Sequence, residues 1–468
     1  MTAALSPELL ARFAAITGAK GVIHEGADQE PYLHEWRDLW HGKTPMVLRP
    51  TTTEQVSRIM ALAYETATPV VPQSGNTGLV GGQIPDPSGT QLLLSLDRMT
   101  RVIAVDPVDY AITVEAGVPL AAVQAAADAE DRLFPLSLAS EGSCRIGGNL
   151  STNAGGLNVL AYGNARDLCL GLEVVLPDGR VLNLLRSLRK DNTGYDLKNL
   201  FIGAEGTLGI ITAAVLKLFP KPRRRETAFI AVPTPQAAVL LLALLKAHAN
   251  QSVVAFEIIP EIGITFVTRH MGVTSPLPSS PWYVLTEFAD APPDALTAAL
   301  EEAMTQDLIS DAAIAQNEAQ RAAFWALREK MSDSQKFEGG SIKHDVSVPV
   351  SRIPHFISEA MAGVEAFMPG CRFLCFGHIG DGNLHFNISQ PVGMDKAHYL
   401  SRWHEMSSIV HDVVLKHGGS ISAEHGIGRL KRDDMRHIKS VVELEMLRAV
   451  KKMLDPKNIM NPGKVLPD

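Results

Sequence analysis

The chain has 468 residues, more than one hydrophobic core of about 250–300 residues accommodates, so two or three domains with a cleft between them are expected. A hydrophobic fraction of 46% and a charged fraction of 20% exclude extensive disorder, and a net charge of -8 with the signs interspersed excludes a general binder of nucleic-acid backbone. Four cysteines without a C-x-x-C pair exclude a disulfide framework and fit a reducing compartment; Cys371 and Cys375 read as small buried hydrophobes. The first 18 residues lack the basic and apolar regions of a secretory signal, and the longest apolar run, Ala237 to Leu245, stops at Lys246. No transmembrane segment is expected, and the compartment expected is the cytoplasm.

In chain order, a helical pattern from about Gln55 leads to the apolar pair Val70-Val71, a glycine-rich stretch, and a second apolar run from Gln91 to Leu96. Such alternation of helix and strand is of the α/β kind. Ile103 to Val105 and Ala111 to Glu115 read as strands, and Leu120 to Glu130 as an alanine-rich helix. Gly171 to Leu176 and Val181 to Leu184 bracket Pro177-Asp178-Gly179, which is turn chemistry for a hairpin. The proline- and charge-rich Pro220 to Glu226 marks a domain boundary, and its three arginines read as a solvated linker. Beyond it come a helix from Pro235 to Ala249, strands at Ser252 to Ile259 and Trp282 to Phe288, and one long polar helix from about Asp311 to Lys336.

Three glycine-rich segments stand out. The first, Pro72-Gln73-Ser74-Gly75-Asn76-Thr77-Gly78, follows an apolar strand and can converge backbone N–H groups on a pyrophosphate. It matches neither G-x-G-x-x-G after a strand nor G-x-x-x-x-G-K-[ST]. The second runs from Ser140-Glu141-Gly142-Ser143 through Gly147-Gly148-Asn149-Leu150-Ser151-Thr152-Asn153-Ala154-Gly155-Gly156, and is too glycine-rich for a regular strand or helix interior. Its backbone donors would suit a large polar ligand. The third, Gly203-Ala204-Glu205-Gly206-Thr207-Leu208-Gly209-Ile210, turns into a strand.

In this order and spacing the segments resemble the FAD-binding domain of the vanillyl-alcohol oxidase superfamily, within it the branch of D-lactate, glycolate and D-2-hydroxyglutarate dehydrogenases. The resemblance covers essentially the whole chain, including the closing Asn458-Ile459-Met460-Asn461-Pro462-Gly463-Lys464. It implies an α+β fold: a two-subdomain FAD-binding domain over 1–220, an antiparallel-sheet substrate-binding cap domain over 221–425, and a short C-terminal helical segment over 426–468. It also implies that FAD is held by Pro72, Ser74, Gly75, Asn76, Thr77, Gly78, Leu79 and Gln83 at the pyrophosphate, and by Ser140, Gly142, Ser143, Gly147, Gly148, Asn149, Thr152, Asn153, Ala154 and Gly155 along the flavin and ribityl chain. Glu205, Gly206, Ile210 and Asn461 complete that set. Neither Pro72 to Gly82 nor Ile146 to Gly156 contains a histidine, so the FAD is expected to be non-covalent.

The segment Arg372 to Ile388 places Asp381-Gly382 between two apolar arms. That dipeptide favours a two-residue type I′ hairpin, and with such a turn His378 faces His385, close enough to share one metal. Asn387 then shares the histidine face, while Ile379, Leu384 and Phe386 point to the core. A stacked or hydrogen-bonded histidine pair in a structural hairpin is the alternative. An apolar strand ending in Glu424-His425 offers a third ligand, Glu424, and a His2Glu set leaves open positions for substrate. The resemblance assigns these roles: His378, His385 and Glu424 hold a divalent metal, Zn2+ first and Mn2+ or Co2+ as alternatives, with His425 as the base.

The helix containing Arg328 and Ser332 puts both on one face, with Arg328 reading by itself as one of a run of surface charges. By resemblance Arg328, Ser332, Asn387, His425 and Lys343 contact a hydroxy acid, and Lys343 marks the members that act on D-2-hydroxyglutarate by meeting its distal carboxylate. Ser332 replaces a threonine of that branch. The expected activity is oxidation of D-2-hydroxyglutarate to 2-oxoglutarate, hydride passing from C2 to flavin N5, with D-malate or D-lactate as alternative substrates. The expected partners are the small hydroxy acid and an electron acceptor such as an electron-transfer flavoprotein, a quinone or a cytochrome; a homodimer is compatible with the sequence. A zinc hydrolase would leave the glycine-rich segments unexplained, and a non-catalytic flavin-binding protein would leave the histidines unexplained.

Overall fold

A computed structural model describes residues 4–24 and 26–467. Residues 1–3 and 468, which belong to the expected first and last segments, lie outside the described residues. The chain divides into two units: the first comprises 1–156, 163–221 and 424–468, the second 157–162 and 222–423.

In the first unit, β1 (Val22–Ile23), β2 (Val47–Leu48), β3 (Val70–Gln73) and β4 (Leu92–Ser95) form a sheet in the order β1-β2-β4-β3. The pairs β2/β4 and β3/β4 are parallel, and the helix Thr53–Thr66 connects β2 to β3. That helix starts where the Thr52 hydroxyl accepts from Gln55 N at 3.2 Å and buries Val56, Ile59, Met60, Leu62 and Ala63. Being parallel and covered, β3 and β4 are buried runs without alternation. The first glycine-rich loop leaves the carboxyl end of β3, the place where parallel sheets carry ligands.

Seven more strands follow in this unit: β5 (Val102–Asp106), β6 (Ala111–Glu115), β7 (Arg132–Leu133), β8 (Cys169–Val175), β9 (Val181–Leu184), β10 (Ile210–Lys217) and β11 (Phe219–Pro220). Five of them build an antiparallel sheet, β5-β6-β10-β8-β9, and β7 pairs with β11. The β8/β9 hairpin turns at Gly179, φ 87°, as its turn chemistry requires. The closing segment returns to β3, where Val70 N donates to Ile459 O at 2.8 Å and Asn461 N to Val70 O at 2.8 Å.

One expectation fails here. Ile146–Ser151 is a short helix despite Gly147 and Gly148. A Cβ at Gly147 would sit 2.7 Å from Ala116 Cβ, and one at Gly148 would sit 3.0 Å from Ser74 Cβ. The glycines let this helix lie against its neighbours, so tertiary packing overrides their low helix propensity.

In the second unit, β12 (Arg225–Val232), β13 (Val253–Pro260), β14 (Trp282–Ala289) and β15 (Asp311–Ile314) form an antiparallel sheet, β13-β14-β12-β15. A second antiparallel sheet, β16-β18-β17, contains β16 (Ser341–Ser347), β17 (Arg372–Phe376) and β18 (Asn383–Ser389). The core between them includes Phe229, Ala255, Ile259, Leu285, Leu327, Leu374 and Phe376. Arg225 opens β12 and pairs with buried Glu287 at 2.9 Å, so the arginine run is only in part a linker.

Three further expectations are corrected in this unit. The long helix over 311–336 is a strand, a helix (Glu318–Glu329) and two short turns of helix. Ala228↔Ile314 pairing claims the first part for the sheet, and Asn317 caps the helix by accepting from Gln320 N at 3.0 Å. Arg328 and Ser332 therefore lie on successive helices that break at Lys330. The expected strand before Glu424 is a single bridge, Ser347↔Ser420, because β16 has its ladder partner in β18. Among the described residues no helix is long and apolar enough to cross a membrane.

Candidate functional site

The first unit holds a polar cleft of about 340 Å³ lined by Pro31, Tyr32, Gln73, Ser74, Gly75, Asn76, Asp97, Gly142, Ser143 and Arg145. It joins the first two glycine-rich segments. They meet backbone to backbone, since a Cβ at Gly75 would lie 2.5 Å from Ser143 O and 2.9 Å from Cys144 Cα. Gly148 N donates to the Ser74 hydroxyl at 3.1 Å. Asn76 takes φ 52° and anchors its amide nitrogen on Pro31 O and His34 O, both at 2.9 Å, leaving a buried carbonyl oxygen unpaired. A glycine-built cradle with polar walls and an orphan acceptor fits a large polar cofactor such as FAD.

Other expected cofactor residues serve the cradle itself. The Gln83 amide donates to Gly78 O at 2.9 Å, Thr152 to Gly148 O at 3.1 Å, and Asn153 accepts from Arg166 N at 2.9 Å. Asn149 and Ile210 are buried, and Pro72 would collide with any Cβ at Gly206, 2.4 Å away. Thr77, Leu79, Ser140 and Ala154 lie in the same loops. Asn461 ties segments together, donating to Gly82 O at 3.0 Å and Glu205 O at 2.9 Å. Glu205 accepts from Ile427 N at 2.7 Å and Gly428 N at 2.8 Å; burial raises its carboxyl pKa to about 7 against the opposing pull of those donors. Glu424 also belongs to this unit, where its carboxylate accepts from Gly156 N at 2.8 Å, and His425 follows it.

In the second unit the ladder β16-β18-β17 lays out a chemical face. Lys343 stands opposite Asn387, and two residues along Asp345 stands opposite His385. Period-two alternation puts all four on one face, with directly paired Cβ atoms about 4.5–5.5 Å apart. Buried Gln335 fixes Asn387, accepting from its amide at 3.1 Å while donating to the Ser389 hydroxyl at 2.8 Å. Phe386 points the other way, against Phe356 and Phe373. Ser332 is half-buried on the short helix Met331–Ser334.

His378 does not face His385 across a two-residue turn. The ladder pairs Phe376 with His385, so 377–382 form a six-residue loop, and Asp381 does not adopt the positive φ that a type I′ turn demands. The physical reason is β13, whose backbone captures this loop: Gly377 exchanges hydrogen bonds with Ile258 at 2.9 and 3.1 Å, and Gly380 N donates to Phe256 O at 3.2 Å. The two imidazoles nevertheless come together, with ring centroids 5.5 Å apart and planes at 74°. Two such rings suit a shared metal bound at about 2.0–2.1 Å.

Sequence reasoning missed Glu257 on β13. It is fully buried, and its carboxylate takes His378 Nδ1 at 2.6 Å on one oxygen and Arg328 Nε at 2.6 Å on the other. Burial by itself would raise its pKa, but the His378 and Arg328 charges and both hydrogen bonds bring it down to about 2. Arg328 is thus no surface charge: it is 8% exposed, lies 4.6 Å over the Phe376 ring, and its two terminal nitrogens make no hydrogen bond to a described residue. A glutamate inside the apolar run Val253-Val254-Ala255-Phe256-Glu257-Ile258-Ile259 was the available signal.

Comparison with known proteins matches both parts of the chain. Residues 44–185 match the FAD binding domain family, and residues 221–465 match the C-terminal domain of FAD linked oxidases. A mitochondrial D-2-hydroxyglutarate dehydrogenase of Danio rerio is 38% identical over 441 residues, 93% of this chain and 80% of that protein. A D-2-hydroxyglutarate dehydrogenase of Xanthomonas citri pv. viticola is 37% identical over 445 residues, 94% of this chain and 93% of that protein. The solved p-cresol methylhydroxylase with substrate bound shares the fold at a TM-score of 0.78 and 18% identity, covering 98% of this chain and 96% of that one. Matched in both parts and aligned with its relatives over most of its length, the chain belongs to the FAD-linked oxidase family, with the vanillyl-alcohol oxidase type of fold, and is an FAD-dependent dehydrogenase.

Proposed function

We propose that the protein oxidises D-2-hydroxyglutarate to 2-oxoglutarate. The observation that carries this reading is the placement of Lys343 opposite Asn387, which adds a cation to the sheet face that carries His385. A monocarboxylic hydroxy acid has no group to match that cation, whereas the distal carboxylate of hydroxyglutarate does. The names of the relatives from Danio rerio and Xanthomonas citri support the same choice.

The chain's residues divide the work. Arg328, held by Glu257 at Nε, has its terminal nitrogens left to grip a carboxylate as a planar fork. Asn387, locked by Gln335, and the Ser332 hydroxyl offer hydrogen bonds to substrate oxygens. His425 takes the proton from the C2 hydroxyl oxygen, work that suits an imidazole, whose unprotonated ring nitrogen accepts a proton. His378 and His385, with Glu424 as the third ligand by family resemblance, would hold a divalent metal, Zn2+ first. When bound, FAD supplies the hydride acceptor at N5 and the metal supplies polarisation of the hydroxyl. The electrons then pass to an acceptor such as an electron-transfer flavoprotein or a quinone.

The test compares kcat/KM on D-2-hydroxyglutarate and D-lactate for the native enzyme and Lys343→Ala. A lost hydrogen bond between charged groups is worth about 1.5–3 kcal/mol, so the variant should lose about 10- to 150-fold on the dicarboxylate and little on D-lactate. A native preference for D-lactate, or an undiminished rate of Lys343→Ala on D-2-hydroxyglutarate, would overturn the assignment.

A further inference from the structure

We infer that Glu257 is a positioning residue shared by two parts of the site: its one carboxylate orients His378 for metal binding and Arg328 for binding the substrate carboxylate. The inference rests on the proposed roles of those two residues. It is carried by a bridging carboxylate in which each oxygen serves one partner, His378 Nδ1 and Arg328 Nε, both at 2.6 Å.

Several consequences follow from chemistry. A hydrogen on His378 Nδ1 directed at the carboxylate leaves Nε2 as the basic nitrogen, the tautomer a metal ligand needs. The same carboxylate holds the guanidinium through Nε, while its two terminal nitrogens make no hydrogen bond to a described residue and keep their donors for a substrate carboxylate. Glu257 is seated on β13 one residue from Ile258, which bonds the backbone of Gly377, itself next to His378. A side chain so placed cannot turn away from one partner without straining the other. His385 has a similar but looser arrangement, with Asp345 4.0 Å from its Nδ1 and Asn383 donating to Asp345 at 3.0 Å.

Glu287 on β14, also buried, has no such double role: it is met by Arg225, Arg321, Trp325 and Thr227, none of them in the proposed site. It supplies the control for a loss of buried charge by itself.

The experiment measures Zn2+ affinity of the FAD-loaded enzyme by competition with a chromophoric chelator, together with KM and kcat for D-2-hydroxyglutarate. Replacing Glu257 by Gln leaves one partner facing an amide N–H. The variant should bind Zn2+ about 10- to 100-fold more weakly, the usual effect of removing a partner behind a metal ligand, and its KM should rise at least fivefold. Glu287→Gln should lower the melting temperature and leave both quantities unchanged. Should Glu257→Gln fail to accumulate, Glu257→Asp reads the same quantities, with at least a threefold loss in each expected. Native affinity and KM in the Glu257 variant, or equal losses in Glu287→Gln, overturn the inference. If instead the native enzyme binds no Zn2+, or binds it equally well as His385→Ala, the metal reading itself falls and takes the role at His378 with it.

Discussion

Replacing Gly75 with alanine puts the cofactor cradle to a direct test. Its φ is not in the left-handed region, so the only obstacle to a side chain is space. The added methyl would stand 2.5 Å from Ser143 O and 2.9 Å from Cys144 Cα, both backbone atoms that no rotamer change can clear. Comfortable non-bonded separations are about 3.5 Å, so the two loops must part by several tenths of an ångström to about 1 Å. Overpacking of this sort costs about 1–3 kcal/mol, and both loops line the 340 Å³ cleft. FAD affinity should therefore fall roughly 5- to 150-fold at about 1.4 kcal/mol per tenfold. Titrating the apoprotein with FAD by flavin fluorescence reads this out. Gly363→Ala, which overpacks the second unit instead because a Cβ there would stand 2.9 Å from Ile409 Cγ2, should bind FAD like the native protein. Native affinity in Gly75→Ala, or an equal loss in Gly363→Ala, would refute the placement of the cofactor between these loops.

Other outcomes follow from the titrating groups. Burial raises Glu205 from its ordinary 4.5 to about 7, so between those pH values the folded protein holds more protons there than the unfolded chain. Stability should fall as pH rises through that window, by about 3 kcal/mol, since a tenfold change in proton affinity corresponds to about 1.4 kcal/mol. Melting temperatures of Glu205→Gln from pH 5 to 8 should lack that slope, and an unchanged slope would count against the argument. The four cysteines are all buried, with burial pushing the Cys169 thiol up to about 12 and Cys371 to about 11. A thiol reagent at pH 8 should therefore label none of them until the protein unfolds, and prompt labelling of the native protein would contradict this.

Much of the candidate site's composition was legible along the chain because its signals are local. Glycine runs, two histidines flanking an Asp-Gly dipeptide, and the lysine of Gly340-Ser341-Ile342-Lys343 are all read within a few residues. The hairpin at Pro177-Asp178-Gly179 and the helix Pro235–Ala249 formed as their turn chemistry and capping threonine require. What failed depended on a distant partner. The Asp381-Gly382 turn would have closed tightly by itself, yet β13 offered the loop better backbone bonding, and the register of His378 changed with it. Asp311–Ile314 looked helical beside a genuine helix until β12 recruited it as an edge strand.

Residue types for the proposed chemistry and their order could be read from the chain alone: glycine-rich segments, two histidines near one turn, an arginine, a lysine and a glutamate-histidine pair. How they are held depends on the folded arrangement. Glu257 lies 71 residues from Arg328 and 121 from His378, and no periodicity within one segment can encode a hydrogen bond across such distances. A buried carboxylate is tolerable only with its partners in place, so folding selects the arrangement in which both reach it.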